Sequence, residues 1–258
     1  MSHMPFPVRQ LGLTIVELLV ALVLSLLLLT GIVQVFLASK QTYATNEAMS
    51  VLQENGRFAL EFVARSVRMG GYLEPTSTLT PPFGVQGAAC TSLCSENGVG
   101  NASDQLAIAF QPPRDPTTGL RYDCAGKTVN DGPVLVNVFS VQNGSLRCSS
   151  YEQDPYKLLS QNIELVSGID RLQVLYGINT QGAPDSVDQY VSADRVTDLN
   201  RWNQVLAVRV AVLANSLSPV NPAPPARPYI LLDAAPVSFD DRLARQVFTT
   251  TIQLKNTD

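Results

Sequence analysis

The stretch GLTIVELLVALVLSLLLLTGIVQVFLAS, residues 12–39, decides how the rest of the chain is read. Glu17 is its one charged side chain. From Leu18 to Ser39, 22 residues carry no charge. At about 1.5 Å per residue that is enough to cross a hydrocarbon core of roughly 30 Å. A carboxylate inside such a helix costs a few kcal/mol or more, so Glu17 marks a use rather than an accident. The initial amine, His3 and Arg9 precede the run and place the short N-terminus in the cytoplasm, with everything after Lys40 outside. An ordinary cleaved secretory signal has a shorter core and a small-residue cut site, which Phe36-Leu37-Ala38 does not provide. A plain signal anchor accounts for length and orientation but leaves Glu17 unexplained.

No proline interrupts Leu13 to Met69, and the spacing predicts one long helix over that range. Past the membrane-length block, Ala48, Val51, Leu52, Phe58, Ala59, Phe62, Val63 and Val67 recur at helical intervals, with Gln53, Glu54, Arg57, Glu61 and Arg65 on the other side. That stripe needs a partner, most simply a sheet folded against it. Gly70-Gly71 and Pro75 are the stop signals, and Gly31 and Gly56 are points where the helix is expected to bend.

After Gly71 the pattern changes. Residues 76–100 read as a loop rich in Thr, Pro, Gly and Ser. Period-two alternation follows at Leu106–Phe110, Val134–Phe139, Leu172–Ile178 and Leu206–Val212, with a final strand at Phe248–Leu254. Asn143-Gly144 is a two-residue hairpin signal. Residues 216–228 contain five prolines and read as a long loop. Lys157–Asp170 is open between strand and short helix, and Asp185–Asn200 between surface helix and ordered loop. One long helix followed by antiparallel strands is an α+β arrangement, and no internal repeat is present.

The net charge of −4 and the lack of a basic cluster argue against nucleic-acid contact and against a polybasic lipid-binding segment. Four cysteines, Cys90, Cys94, Cys124 and Cys148, all lie in the part expected outside. An even count in an oxidising compartment favours disulfides, with three connectivities open. The favoured one closes a small loop with Cys90–Cys94 and ties neighbouring strands with Cys124–Cys148. A zinc site fits the spacing poorly and lacks a histidine. No catalytic residue is identified. His3 is the single histidine, which removes the base that serine or cysteine triads need. Neither a phosphate loop nor a dinucleotide fingerprint is present, so no cofactor is expected. Asp240-Asp241 and Asp185 with Asp188 lack the pattern of a calcium loop and read as charged turns, with no metal expected. Trp202 and Tyr190 read as packing before they read as a contact surface.

The run Gly12-Leu13-Thr14-Ile15-Val16-Glu17-Leu18-Leu19 resembles the class III signal of type IV pilins and type II secretion pseudopilins. Further segments are similar to the PilW family of minor pilins: Glu54-Asn55-Gly56-Arg57-Phe58-Ala59-Leu60, Arg68-Met69-Gly70-Gly71-Tyr72, Asn137-Val138-Phe139-Ser140-Val141 followed by Asn143-Gly144 and Leu146-Arg147-Cys148, Leu172 through Ile178, and Gln246-Val247-Phe248-Thr249-Thr250-Thr251-Ile252. The resemblance implies a pilin-like fold: a long N-terminal helix packed by its second half on an antiparallel sheet, with disulfide-tied loops. It divides the chain into a cleaved leader (1–12), a membrane and filament-core half-helix (13–39) and a periplasmic domain (40–258). It implies that prepilin peptidase cuts after Gly12, that Leu13 becomes the N-methylated first residue, and that Glu17, then the fifth, pairs with a neighbour's N-terminal amine. Loss of Arg9 with the leader takes the formal charge from −4 to −5. Major pilins often have a proline at mature position twenty-two, where this chain has Gln34. The implied partners are other minor pilins and the major pilin, the prepilin peptidase, the inner-membrane assembly platform and a tip adhesin. The implied location is the inner membrane as a single-pass protein, then the extracellular pilus, at its tip, in a complex that primes pilus assembly. A minor pseudopilin of a type II secretion system is the alternative. A membrane-anchored periplasmic enzyme or binding domain is the reading from a different class.

Overall fold

The computed structural model describes residues 12, 14–74, 80–83, 94–154, 156–181 and 186–256. Two compact units emerge, Met1–Asn46 and Glu47–Asp258, and helix α1 (Ile15–Met69) contributes to both. In the first unit every large apolar side chain of α1 from Ile15 to Leu37 is exposed. The hydroxyls of Ser25 and Thr30 donate back to the carbonyls of Ala21 and Leu26, four residues earlier, which satisfies them without solvent.

In the second unit α1 buries Ala48, Leu52, Gly56, Ala59, Val63 and Val67, at steps of three and four. Phe58 and Phe62, expected on this face, are instead exposed. Each lies one residue, about 100°, from the buried stripe, and small residues hold the contact in its place. The helix runs unbroken through Gly31 and Gly56. Gly56 serves close approach rather than bending: a Cβ there would sit 2.3 Å from the Phe248 ring. The helix ends at the expected place, where Gly71 adopts φ +77° and Gly70 and Tyr72 donate to the carbonyls of Val67 and Met69.

The remainder is antiparallel. Strands β1 (Leu106–Phe110), β4 (Leu135–Gln142), β5 (Ser145–Glu152) and β6 (Lys157–Ser167) form a first sheet in the order β1-β4-β5-β6. Strands β7 (Ile169–Ile178), β8 (Gln189–Val191), β9 (Val205–Pro219) and β10 (Leu243–Gln253) form a second in the order β10-β9-β7-β8. A small hairpin pairs β2 (Arg121–Tyr122) with β3 (Thr128–Val129). Asn143 (φ 52°) and Gly144 (φ 70°) make the tight β4–β5 turn that their side chains permit. The open assignments resolve as β6 running into β7 through Gly168, and as β8 followed by a short helix α2 (Ala193–Asp198). The expected loop at residues 216–228 starts later than read, because β9 continues to Pro219.

One core unites both sheets with α1, from Leu52 and Val63 through Leu106, Phe139 and Tyr176 to Val210 and Ile252. The other face of the second sheet is not solvated. Ala211 and Leu213 pack there under Leu231, Tyr229, Val237 and Phe239 of the β9–β10 connection. That is why β9, expected to alternate, is buried on both faces along most of its length.

Candidate functional site

The head of α1 is held by its own side chains. The Glu17 carboxylate accepts the Thr14 backbone N–H at 2.9 Å and the Thr14 hydroxyl at 3.0 Å, and the Glu17 N–H returns a 3.3 Å bond to the Thr14 hydroxyl oxygen. This is a reciprocal cap of the T-x-x-E kind, with the acid also placed favourably at the positive end of the helix dipole. Glu17 is therefore not an isolated charge: one turn of local hydrogen bonds supports its carboxylate. Gly12, the expected cut site, is exposed. Leu13, the expected first residue after cleavage, lies outside the described residues. Behind this cap the helix presents Leu18–Leu37 as exposed apolar surface long enough to cross a membrane.

The cysteines are used structurally. Cys124, in the β2–β3 turn, is bonded to Cys148 of β5, closing 24 residues of sequence and fixing the hairpin to the first sheet. Cys94 is also disulfide-bonded. Cys90 lies outside the described residues.

Three polar constellations were not foreseen from the sequence. The Arg121 guanidinium is 1% exposed and donates to the Glu74 carboxylate, the Asp131 carboxylate and the Pro112 carbonyl. It thus joins the chain just after α1 to the β2–β3 hairpin. Arg114 bonds Asp131 at 2.9 Å, and this, with Arg121, holds the Asp131 carboxyl below its usual range. The buried Arg245 guanidinium chelates the exposed Asp241 carboxylate (2.6 and 2.7 Å) and reaches Asp170 (2.7 Å), which engages the Asp240-Asp241 turn in an ion pair. Asp104 takes the Gly98 N–H on one oxygen (2.8 Å) and the Val174 N–H on the other (2.7 Å), clamping the chain before β1 onto β7. Burial pushes Asp104 up to about 6, against the opposing pull of those two N–H groups. Nothing local predicts the distant partners in these groups, Glu74 for Arg121, Asp170 for Arg245 and Val174 for Asp104.

Trp202 packs its ring 4.9 Å from Tyr176 and 5.2 Å from Phe83 and donates its N–H to Thr197, and Arg209 lies 3.9 Å over Tyr190. Both aromatic residues are explained by packing. Among the described residues no three His, Cys, Asp or Glu side chains gather where a metal ion would be held. Asp188 is bonded to Thr180, and Asp185 lies outside the described residues.

Nothing among curated proteins matches the chain. Among solved structures, a type IV-like pilin from Thermus thermophilus matches with a TM-score of 0.50 and 16% identity, covering 80% of this chain and 98% of the other. At that identity the likeness is one of fold: a long N-terminal helix on antiparallel sheets. The model of the PilW family, described as type IV pilus-assembly protein W, matches residues 135–256, from the start of β4 to beyond the end of β10. Over those residues the chain is similar to the PilW family of type IV pilus-assembly proteins, and its fold is the pilin-like α+β one.

Proposed function

We propose that this chain is a minor pilin, inserted in the inner membrane by α1, cut by prepilin peptidase behind Gly12 and methylated on Leu13. It then joins other minor pilins in a complex that primes type IV pilus assembly and stays at the pilus tip. The observation that carries this reading is Glu17 at the head of a wholly exposed apolar half-helix, five residues past Gly12. In lipid that acid carries a desolvation cost of a few kcal/mol. A neighbouring subunit's N-terminal amine brought beside it cancels two such costs at once and sets the axial register. Exposed side chains such as Leu19, Leu26 and Val33 then pack on other subunits' helices, which makes withdrawal from the bilayer less unfavourable. The PilW match and the pilin-like fold support the assembly role. The partners are accordingly other pilus subunits, the peptidase and the assembly platform.

Processing is tested by Gly12→Val in the full-length protein. The variant chain is expected to keep Met1 by mass spectrometry of its membrane fraction. Cleavage at the wild-type rate would move the cut site away from Gly12.

A further inference from the structure

Each sheet has two outer strands, and three of the four are protected. The β1 edge is covered, with Ala107 N–H bonded to the Ser95 hydroxyl, Ala109 N–H to the Pro82 carbonyl and the Ala109 carbonyl accepting from Gly71. The β8 strand is three residues long. The β6 edge is broken by three register shifts and by Asn162 at φ 52°, and the Lys127 ammonium bonds its Leu159 carbonyl. These are the ways folded proteins keep an edge from pairing with another chain.

The β10 edge has one register shift, between Leu243 and Arg245, and none of these protections beyond it. Its register against β9 runs without a break from Arg245 to Gln253, and Gln246–Gln253 contains neither a charge nor a proline. Among the described residues no other segment bonds the backbone of Gln246–Gln253. Alongside lies a groove of ≈ 780 Å³, walled on one side by α1 and on the other by this strand. Phe248, Thr249 and Thr250 all line it. Successive side chains of a strand point to opposite faces, so three consecutive residues on one wall mean that the groove runs along the strand's edge. On the α1 wall, Glu61 pairs with Arg68 at 3.4 Å, while Glu54 and Arg57 make no ion pair among the described residues.

We infer that the groove between α1 and β10 takes an extended polypeptide strand from another protein chain, which pairs with the outer edge of β10 and meets Glu54 and Arg57 with one basic and one acidic side chain. Only an extended chain supplies the alternating N–H and carbonyl groups that a bare edge leaves open. The helix wall selects among such chains: a strand carrying both signs is complementary to it, and one carrying a single sign is repelled by one of the two residues. That the partner is another pilus subunit rests on the assembly reading above, whereas the strand pairing does not.

The test uses the full-length chain in cells that make its own pilus system, with a photo-reactive phenylalanine analogue placed at Gln246 or at Thr250. Attachment sites are mapped by mass spectrometry. The expected result is that moving the probe by four residues moves the attachment site by four residues along one extended segment of one partner. The charge swap Glu54→Arg with Arg57→Glu, both on exposed helix positions, is expected to lower adduct yield by roughly fivefold. Absence of an adduct, attachment sites on a helical face, or a yield unchanged by the swap would overturn the proposal. N-terminal sequencing in the same cells keeps the two claims separate. A chain that starts at Leu13 and enters the filament without forming an adduct refutes the strand docking and leaves the assembly reading standing.

Discussion

Glu17 does two things that one substitution separates. It closes the α1 cap by accepting the Thr14 N–H and hydroxyl, and in the proposed assembly it supplies a negative charge to a neighbour's amine. Glutamine keeps an acceptor for the cap and removes the charge; leucine removes both. If the charge is what matters, Glu17→Gln and Glu17→Leu should be depleted from sheared pili to a similar degree, read by immunoblot against the membrane pool. Wild-type incorporation of Glu17→Gln would assign the residue to helix capping alone. The T-x-x-E pattern of this cap is present in the sequence at Thr14 and Glu17, inside the same apolar run that makes the charge conspicuous. Asp104 gives a second residue-scale prediction. Its folded value of about 6 exceeds the usual 3.8, so the folded chain holds that proton more tightly. Its contribution to stability is therefore present below about pH 4 and is lost as pH rises through 6, on the order of 3 kcal/mol in all. Asp104→Asn should flatten that pH dependence in urea titrations of the detergent-solubilised protein. Below about pH 4 it should also destabilise the fold by roughly 1–3 kcal/mol, because an amide NH₂ must then face the N–H of Gly98 or Val174, and this deficit should shrink as pH rises through 6. A pH profile identical to wild type would take Asp104 out of this role.

At the scale of elements, the contact of α1 with β10 depends on Gly56. Alanine in its place improves helix propensity by about 1 kcal/mol. The added Cβ meets three atoms of the Phe248 ring at 2.3–2.8 Å, closer than any ordinary contact. Overpacking of that kind costs about 1–3 kcal/mol, so the clash outweighs the propensity gain. Gly56→Ala should lower the urea midpoint, and Phe248→Leu should restore part of the loss in the double variant. A neutral Gly56→Ala would mean that the strand stands further from the helix than described. Gly56 also shows where sequence reading stopped. A glycine within a helical pattern predicts a bend, and the ring that needs the space lies 192 positions later. The strands themselves were readable from their alternation, and the hairpin from Asn143-Gly144. Their division into two sheets was not, since alternation fixes which residues share a face and not which strand lies beside which. Phe58 and Phe62 were misplaced for a related reason: several faces of α1 are apolar, and only the facing sheet selects one.

For the whole molecule, two properties follow from two units of different character. Met1–Asn46 contributes an exposed apolar helix with one acid at its head, and Glu47–Asp258 contributes a core shared by α1 and both sheets. The first was legible almost entirely in the sequence, because membrane length and a single charge are local features. The ion pairs of its buried guanidiniums, Arg121 with Glu74 and Arg245 with Asp170, were not, because they join residues 47 and 75 positions apart. The central claim is that this chain is shortened to Leu13 and then built into a filament. The most direct measurement is mass spectrometry of the N-terminal peptide of the chain recovered from sheared pili. The account predicts a peptide that begins at Leu13 with one added methyl group. A chain that begins at Met1 or beyond Ala38, or that never leaves the membrane fraction, would contradict it.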